Sequence, residues 1–410
     1  MNDQQTEDLR ARTRALLEEV NPDDPSVDRI KFRGAQFDHG LAFVHFPEGR
    51  GGLGLAPKLQ QVVNDELQRN TKTQYRDTGV NLIGIGMAAP TLLTYASEEQ
   101  QNRWLRPIFT GEEIWCQLFS EPGAGSDVSA LATRAVRDGD DWVLNGQKVW
   151  TTLAHVSRWG MLLARTDPEQ PKHKGLSYFI LDMESPGVEV RPLYQITGEA
   201  EFNEVFLTDV RINDAMRLGE EGQGWKVAIT TLMNERVAIG SGSGGPRRKP
   251  IDFLVDLWRE HAPETEKSSA GAARYAVMVD RIAKLVIESH LLEITSHRAM
   301  VARREGNPGA EGSVGKLVAA ELNQRIFEMS LDILGSDGLI YDTGYELRRP
   351  NDELIAHSDR ATHRFLRSRA NTIEGGTSEI MRNILGERVL DLPSESREDK
   401  NCPWSQLRKG

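Results

Sequence analysis

SEPGAGSD, residues 120 to 127, is the stretch of this chain that indicates its fold most directly. Its two glycines allow backbone N–H groups to approach a ligand closely, and Ser120 and Ser126 place hydroxyl groups beside them. A glycine-rich loop alone is often only a tight turn between strands. This octet, however, opens a region of short apolar runs broken by Gly, Pro and Asp. It therefore predicts a ligand-facing loop at the start of a β-domain.

The region after the octet is predicted to be strands. Residues 141–146, DWVLNG, predict a strand that enters an Asn-Gly hairpin turn. The same segment continues into NGQKVWTTLA, residues 145–154, which places Trp150 and Thr152 behind the predicted turn. Further strand candidates are 176–182, 188–192 and 203–207.

Helical periodicity surrounds this region on both sides. Before it, Ser97 and Gln100 have the spacing of a capping box, which predicts the start of a helix. After it, helical stretches long enough to form a bundle are 224–241, 272–304, 313–334 and 358–391. The predicted order is an N-terminal helical domain (1–115), a middle β-domain (116–223), a C-terminal helical bundle (224–393) and a mobile tail (394–410). A polar insertion, 242–271, separates the first two bundle stretches.

Composition limits the classes of function. The 410 residues include 50 basic and 61 acidic ones, and the net charge of −11 argues against non-specific nucleic-acid binding. The two cysteines predict neither a disulfide framework nor a metal site, and they favour a reducing compartment. No stretch approaches the ~18 to 20 apolar residues of a membrane span, and the N-terminus is too polar for a signal peptide. We therefore expect a soluble, cytoplasmic protein.

TIEGGTSEIMRN, residues 372–383, opens a helix with two glycines. Read with the octet, with NGQKVWTTLA and with DILGSDG (332–338), it resembles the acyl-CoA dehydrogenase family of flavoenzymes. The resemblance extends over roughly residues 40–393. It implies an α+β fold with an N-terminal helical domain, a middle β-barrel-like domain and a C-terminal four-helix bundle.

The resemblance also implies a cofactor and partners. FAD would lie between domains, an acyl-CoA would be the substrate, and subunits would form homodimers, homotetramers or a heteromer with a related chain. Electrons would pass to an electron-transfer flavoprotein, as in fatty-acid β-oxidation. Within the FAD site, Ser120 would face the flavin pyrimidine edge and Ser126 a pyrophosphate oxygen. Trp150 would pack on the flavin, and Thr152 would bond to N5.

Further cofactor contacts are implied in the bundle. The segment around Gly335 would contact the ADP half of a neighbouring subunit's FAD, although Asp332 and Ser336 replace the usual Gln and Gly. Thr377 and Glu379 match positions near the same dinucleotide. Simpler interpretations exist, since Gly335 is also a good helix C-cap and an acidic residue in a first helical turn favours the helix dipole.

The catalytic base is where the chain departs from the family. The usual signature, Tyr-Glu-Gly-Thr, supplies the base from its Glu, and alignment on Thr377 places Gly375 at that position. Gly375 keeps the backbone N–H that would bind the enolate oxygen, but it has no carboxylate. Some relatives, including isovaleryl-CoA and long-chain acyl-CoA dehydrogenases, carry the base in a Glu-Arg pair on a bundle helix. Glu235-Arg236 matches that pair, while Glu374, or no functional base, are the alternatives.

The resemblance implies that the chain introduces an α,β double bond into an acyl-CoA. A base on the bundle helix usually accompanies branched or bulky acyl groups, and the small residues of GIGMAAP (84–90) would widen the acyl pocket or serve helix packing. Three alternatives stay open. They are a non-catalytic or half-catalytic subunit of a heteromeric dehydrogenase, a flavin monooxygenase or oxidase on the same fold, and a CoA-binding protein without chemistry.

Overall fold

A computed structural model describes the following residues of the chain: 3–73, 81–240, 249–265, 269–304, 311–341, 360–394, 399 and 401–407. In chain order, helices come first, then one sheet, then a second helical region.

The N-terminal region is helical, as predicted. Its helices are α1 (Asp3–Glu19), α2 (Arg29–Asp38), α3 (Gln60–Asn70), α4 (Ala89–Tyr95) and α5 (Glu98–Thr110), with one π-helical turn at Gly84–Ala88. The predicted capping box is confirmed at α5. The Ser97 side chain accepts from the Gln100 N–H, and the Gln100 side chain accepts from the Ser97 N–H.

The middle region is a sheet whose strands are β1 (Trp115–Leu118), β2 (Arg134–Asp138), β3 (Asp141–Thr152), β4 (Trp159–Arg165), β5 (Leu176–Asp182), β6 (Val188–Pro192), β7 (Phe202–Asn213) and β8 (Arg217–Leu218). Their order in the sheet is β6-β7-β3-β2-β4-β5-β8, and β1 pairs in parallel with β4. Every residue of β4 is buried. One face of β4 and β5 packs on a core shared with the helices, and the other packs inside the sheet, which explains their nearly continuous apolar sequences.

The predicted Asn-Gly hairpin turn is wrong. β3 runs without interruption from Asp141 to Thr152, and its hairpin with β2 turns at Gly139, whose φ is 66°. Gly146 lies inside β3, where the pairing with β7 shifts register. A Cβ on Gly146 would lie 2.7 Å from the Thr133 Cα, so close backbone approach, rather than a turn, requires glycine there.

The C-terminal region forms helices around α9. They are α6 (Gly224–Gly240), α7 (Pro250–Thr265), α8 (Ser269–Arg304), α9 (Glu311–Leu334), α10 (Ala361–Ser368) and α11 (Ser378–Arg388). α7, α8, α10 and α11 all contact α9. α6 contacts the N-terminal helices and β5 as well as α9.

Three details of this region differ from the sequence prediction. The polar insertion contains α7, which buries Ile251, Phe253 and Leu254 in the bundle core. The stretch 358–391 is not one helix, because Gly375 and Gly376 have φ of 64° and 97° and cannot continue α10 into α11. Finally, part of the predicted mobile tail is docked on the sheet region, through Asp399, Pro403, Trp404 and Ser405.

In the part of the chain that the structure describes, no helix combines the length and apolarity needed to cross a membrane.

Candidate functional site

The octet is anchored at Glu121, whose side chain is buried. Its carboxylate accepts from the backbone N–H groups of Ala132 (2.7 Å) and Thr133 (2.9 Å), which closes the loop back on itself. Within the octet, Glu121 and Ala124 exchange backbone hydrogen bonds. A Cβ built on Gly123 or Gly125 would meet nothing within 4 Å, so the glycine backbone faces open space. A ligand could therefore approach the backbone of the octet closely at these two positions.

Lys148 of β3 forms a buried ion pair with Glu121. Its side chain is fully buried, and its ammonium donates to Glu121 (2.8 Å), to the Phe119 carbonyl (3.1 Å) and to the Leu163 carbonyl (2.8 Å). Burial alone would raise the pKa of Glu121, but Lys148 and the backbone donors outweigh it and hold that pKa below its ordinary value. The octet is therefore anchored by a buried ion pair whose two charged groups both form further hydrogen bonds.

Trp150 is held beside the octet in a strained conformation. The Val149 N–H donates to the Ser120 carbonyl (2.9 Å), which joins the first octet residue to β3. Trp150 has a backbone φ of 60° and Leu153 has a φ of 55°, a left-handed region that residues other than glycine rarely adopt. The Trp150 ring is 58% exposed and contacts Phe202 edge-to-face, with centroids 5.8 Å apart. A large exposed ring on a strained strand end fits a surface that a flat ligand covers.

The loop from Glu374 to Thr377 is held from α9 and α10. Arg367 donates to both oxygens of Glu374, at 3.1 and 3.0 Å, and the Asn371 amide adds a third bond of 2.9 Å. Lys316 of α9 donates to the Gly376 carbonyl. The Thr377 hydroxyl accepts from the Ile380 N–H and caps α11. Gly375 thus sits in a loop fixed on both sides.

Arg367 connects this loop to the strand that carries Trp150. Its Nε lies 3.5 Å from the Glu201 carboxylate, and its guanidinium lies 6.0 Å from the Phe202 ring centroid. Phe202 pairs with Thr152 in the sheet, and the Leu153 N–H donates to the Glu201 carbonyl (2.9 Å). The structure therefore brings Ser120, Trp150 and Thr152 into the same neighbourhood as the Gly375 loop. Neither Arg367 nor Glu201 belongs to a recognisable motif, and sequence reasoning missed both.

Glu201 is a buried carboxylate, 2% exposed, and no donor among the described residues makes a hydrogen bond with either of its oxygens. Burial raises the pKa of Glu201 to about 7; Glu199 and Glu374 add to the rise, and Arg367 opposes it. Because the ordinary value is 4.5, the folded protein holds this proton more tightly than the unfolded chain does. Its stabilising effect is complete below about pH 4.5 and is lost as the pH rises through about 7.

We expect Glu201→Gln to remove that pH dependence, since Gln resembles the protonated Glu. The free energy of unfolding of the variant should match the wild type near pH 4.5 and exceed it by on the order of 3 kcal/mol at pH 8. Urea unfolding at the two pH values measures the difference. Equal pH dependence in the two proteins would show that folding does not shift the pKa of Glu201.

Glu235 lies on α6, on the face that packs inward. One turn before it, Thr231 is buried, and its hydroxyl lies 3.0 Å from that of Thr91 and 3.1 Å from that of Tyr178. Residues four apart share a helix face, so Glu235 continues this face, where it is half-buried. α6 contacts the π-helical turn at Gly84–Ala88 and β5. The structure places Glu235 on a different element from Glu374, and its role as base stays a prediction.

The remaining predicted cofactor contacts have structural partners of their own. Gly335, with φ of 60°, follows the end of α9, while Arg281 pairs with Asp332 at 2.8 Å. Glu379 is exposed in the first turn of α11, and Ser126 is exposed on the octet. These positions leave their cofactor roles as predictions.

The arrangement fits a flat ring attached to phosphates. The exposed Trp150 ring stands beside Ser120 and Thr152, and the open glycine backbone of the octet follows directly. The Thr151 hydroxyl is buried and has no hydrogen-bond partner among the described residues. The fold defines a class of protein with a helical, a sheet and a second helical region in that order, and the exposed ring and open loop lie on its sheet.

Sequence comparison identifies the family. The profile of the acyl-CoA dehydrogenase N-terminal domain matches residues 3–112, that of the middle domain residues 116–210, and that of the C-terminal domain residues 222–390. The chain therefore belongs to the acyl-CoA dehydrogenase family, whose members are flavin-dependent oxidoreductases that act on CH–CH bonds.

Individual relatives agree with this. The chain is 38% identical to acyl-CoA dehydrogenase FadE34 of Mycobacterium tuberculosis over 388 residues, covering 94% of this chain but only 49% of FadE34, about half its length. It is 37% identical to acyl-CoA dehydrogenase IpdE1 of the same organism, covering 87% of this chain and 86% of IpdE1. Among solved structures, a chain of the ChsE4–ChsE5 complex from M. tuberculosis matches with a TM-score of 0.68 and 26% identity, covering 95% of this chain and 98% of that one.

Proposed function

We propose that this chain is an FAD-dependent dehydrogenase that introduces an α,β double bond into a branched or bulky acyl-CoA. The observation that carries the proposal is the contact of Arg367 with both Glu201 and Glu374. This contact supports the proposal because it brings the strand end with Trp150 and Thr152 close to the loop with Gly375. When bound, FAD would supply the hydride acceptor.

The chain's own residues would do the rest. Trp150 would support the ring, Ser120 and Thr152 would bond its edge, and Ser126 with the octet backbone would hold the phosphates. The α-hydrogen of a thioester is far too weakly acidic for a carboxylate in water. The site must therefore stabilise the enolate oxygen with a directed donor, and this donor would be the Gly375 N–H. The hydrogen bonds that hold its loop support this role.

The base would be Glu235. Glu374 is the less suitable candidate, because its carboxylate already accepts three hydrogen bonds from Arg367 and Asn371. Freeing it for proton transfer would leave the Arg367 guanidinium without its bidentate partner. Glu235 continues an inward helix face beside the π-helical turn that the acyl group would approach.

The small residues near that turn divide into two groups. Ala88 and Ala89 are fully buried in the core, and a Cβ on Gly84 would lie 2.4 Å from the Asn81 amide, so packing explains these three. Gly86 is half-buried and remains a position where the absent side chain would widen an acyl pocket.

An anaerobic titration tests the substrate class. Straight-chain, 2-methyl-branched and bulky alicyclic CoA thioesters are added in turn to the FAD-loaded protein, and the flavin absorbance is followed. We expect the branched or alicyclic thioesters to bleach the flavin fastest. Faster bleaching by straight-chain thioesters would refute the proposal of a bulky substrate but would still support dehydrogenase activity.

A second candidate is a subunit of a heteromeric dehydrogenase. α8 exposes an apolar face over successive turns: Val279, Val286, Ile287, Leu291 and Ile294. The ChsE4–ChsE5 structure is a complex of two proteins. If no thioester bleaches the bound flavin, co-expression with a related chain should restore bleaching. Bleaching by the purified chain alone, at one FAD per subunit, would exclude the heteromer.

A separate measurement distinguishes a dehydrogenase from an oxidase. Reduced flavin that passes its electrons to an electron-transfer flavoprotein would indicate a dehydrogenase, whereas rapid oxygen uptake would indicate an oxidase.

A further inference from the structure

The last described segment of the chain, residues 401–407, lies against the sheet region and is here termed the strap. The Trp404 N–H donates to the Gln170 carbonyl (3.0 Å), and the Ser405 N–H donates to the Pro168 carbonyl (2.9 Å). The Trp404 indole N–H donates to the Ala130 carbonyl (3.0 Å). The strap therefore joins two loops, the one between β4 and β5 and the one that follows the octet.

Beneath Trp404 lies Arg165, the last residue of β4. Arg165 is 2% exposed, and its guanidinium lies 4.3 Å from the centroid of the Trp404 ring. It donates to the carbonyls of Ser129 (2.7 Å) and Leu131 (3.1 Å), which belong to the stretch directly after the octet. Without the indole, this cation would face water. Trp404 thus keeps the hydrogen bonds that fix residues 129–131 in a dry environment, where they are stronger.

A second link reaches the octet itself. Lys172 donates to Asp127, the last octet residue, at 2.6 Å, and also to Asp399 just before the strap. Asp127 in turn accepts from the Ser129 hydroxyl (2.5 Å). Lys172 therefore stands between an acidic residue of the octet and an acidic residue of the chain's end.

We propose that Trp404 is a positioning residue for the FAD site, and that the strap holds the octet in its binding shape. This rests on the proposed function, because it assigns the octet to FAD phosphates. A loop ordered before binding loses less conformational entropy when the ligand arrives, so loss of the strap should weaken FAD binding even where the fold survives.

The test compares Trp404→Ala with Gln406→Ala, a matched change in the strap at an exposed side chain. FAD dissociation constants are measured by fluorescence, and melting temperatures are measured with and without FAD. We expect Trp404→Ala to raise the dissociation constant about tenfold or more. Gln406→Ala should match the wild type. A lower melting temperature of the FAD-free Trp404→Ala protein with an unchanged dissociation constant would overturn the proposal, since the strap would then serve only stability.

Two further measurements cover a variant that does not fold and a failure of the flavin assignment. Asp399 precedes the strap and accepts a hydrogen bond from Lys172, which also binds Asp127 of the octet. Asp399→Asn should therefore raise the FAD dissociation constant two- to fivefold, and no rise would count against the proposal. Amide hydrogen exchange of residues 123–131 in the FAD-free proteins should be faster in Trp404→Ala than in Gln406→Ala. If the wild type takes up no FAD, the proposed function fails, and exchange alone then decides whether the strap orders the octet.

Discussion

Glu235→Gln is expected to lower the rate of flavin reduction by an acyl-CoA by about 10²- to 10⁴-fold or more, the usual effect of removing a general base. FAD binding should be unchanged, because Glu235 belongs to α6 and not to the octet or β3, which we propose hold the cofactor. Single-turnover mixing under anaerobic conditions separates this chemical step from binding.

Glu374→Gln is the matched comparison for Glu235→Gln. It keeps the side-chain shape and the Asn371 contact but weakens the pairing with Arg367, so we expect a smaller loss in the reduction rate. A full loss in Glu374→Gln with near-normal reduction in Glu235→Gln would move the base to Glu374. Normal reduction in both variants would show that neither carboxylate removes the proton.

Lys148→Met is expected to destabilise the folded protein by about 3–5 kcal/mol, because it leaves the Glu121 carboxylate buried without its cation. The octet should lose order at the same time, so FAD affinity should fall with stability. Urea unfolding followed by tryptophan fluorescence measures the first effect, and FAD titration measures the second. Since the folded state lowers the pKa of Glu121, the wild-type pair stabilises the protein above the ordinary Glu pKa and loses this effect as the pH falls.

The double variant Lys148→Met/Glu121→Gln provides the control. Removing the stranded charge should recover part of the loss, and a double-mutant cycle gives the interaction energy of the pair. If Lys148→Met lowers the free energy of unfolding by less than about 1 kcal/mol, the ion pair contributes little to stability. A double variant no more stable than the single one would show that the loss comes from packing alone.

The part of the candidate site that the sequence could propose is encoded locally. The octet, Trp150 and Thr152 lie within about thirty residues of one another and carry residue types that suit a ring and phosphates. The capping box at Ser97 and strands β5 and β6 follow from short-range patterns, and the structure confirms them. Helix existence was likewise clear wherever apolar spacing was regular.

The rest depended on contacts that no local pattern encodes. The Asn-Gly pair looked like a turn, but the close approach of Thr133 to Gly146 keeps it inside β3. The sequence analysis missed α7 within a polar stretch because only one face of this helix is buried, against α9. Arg367 and Glu201 are 166 residues apart in the sequence, so their pairing is set by the docking of α10 on the sheet.

Trp404 lies 274 residues after Ala130, the residue whose carbonyl it bonds. During synthesis, the octet and the whole sheet therefore leave the ribosome long before the segment that covers them. The order that we propose the strap gives to the octet would therefore be added late, after the residues of the sheet have already been synthesised.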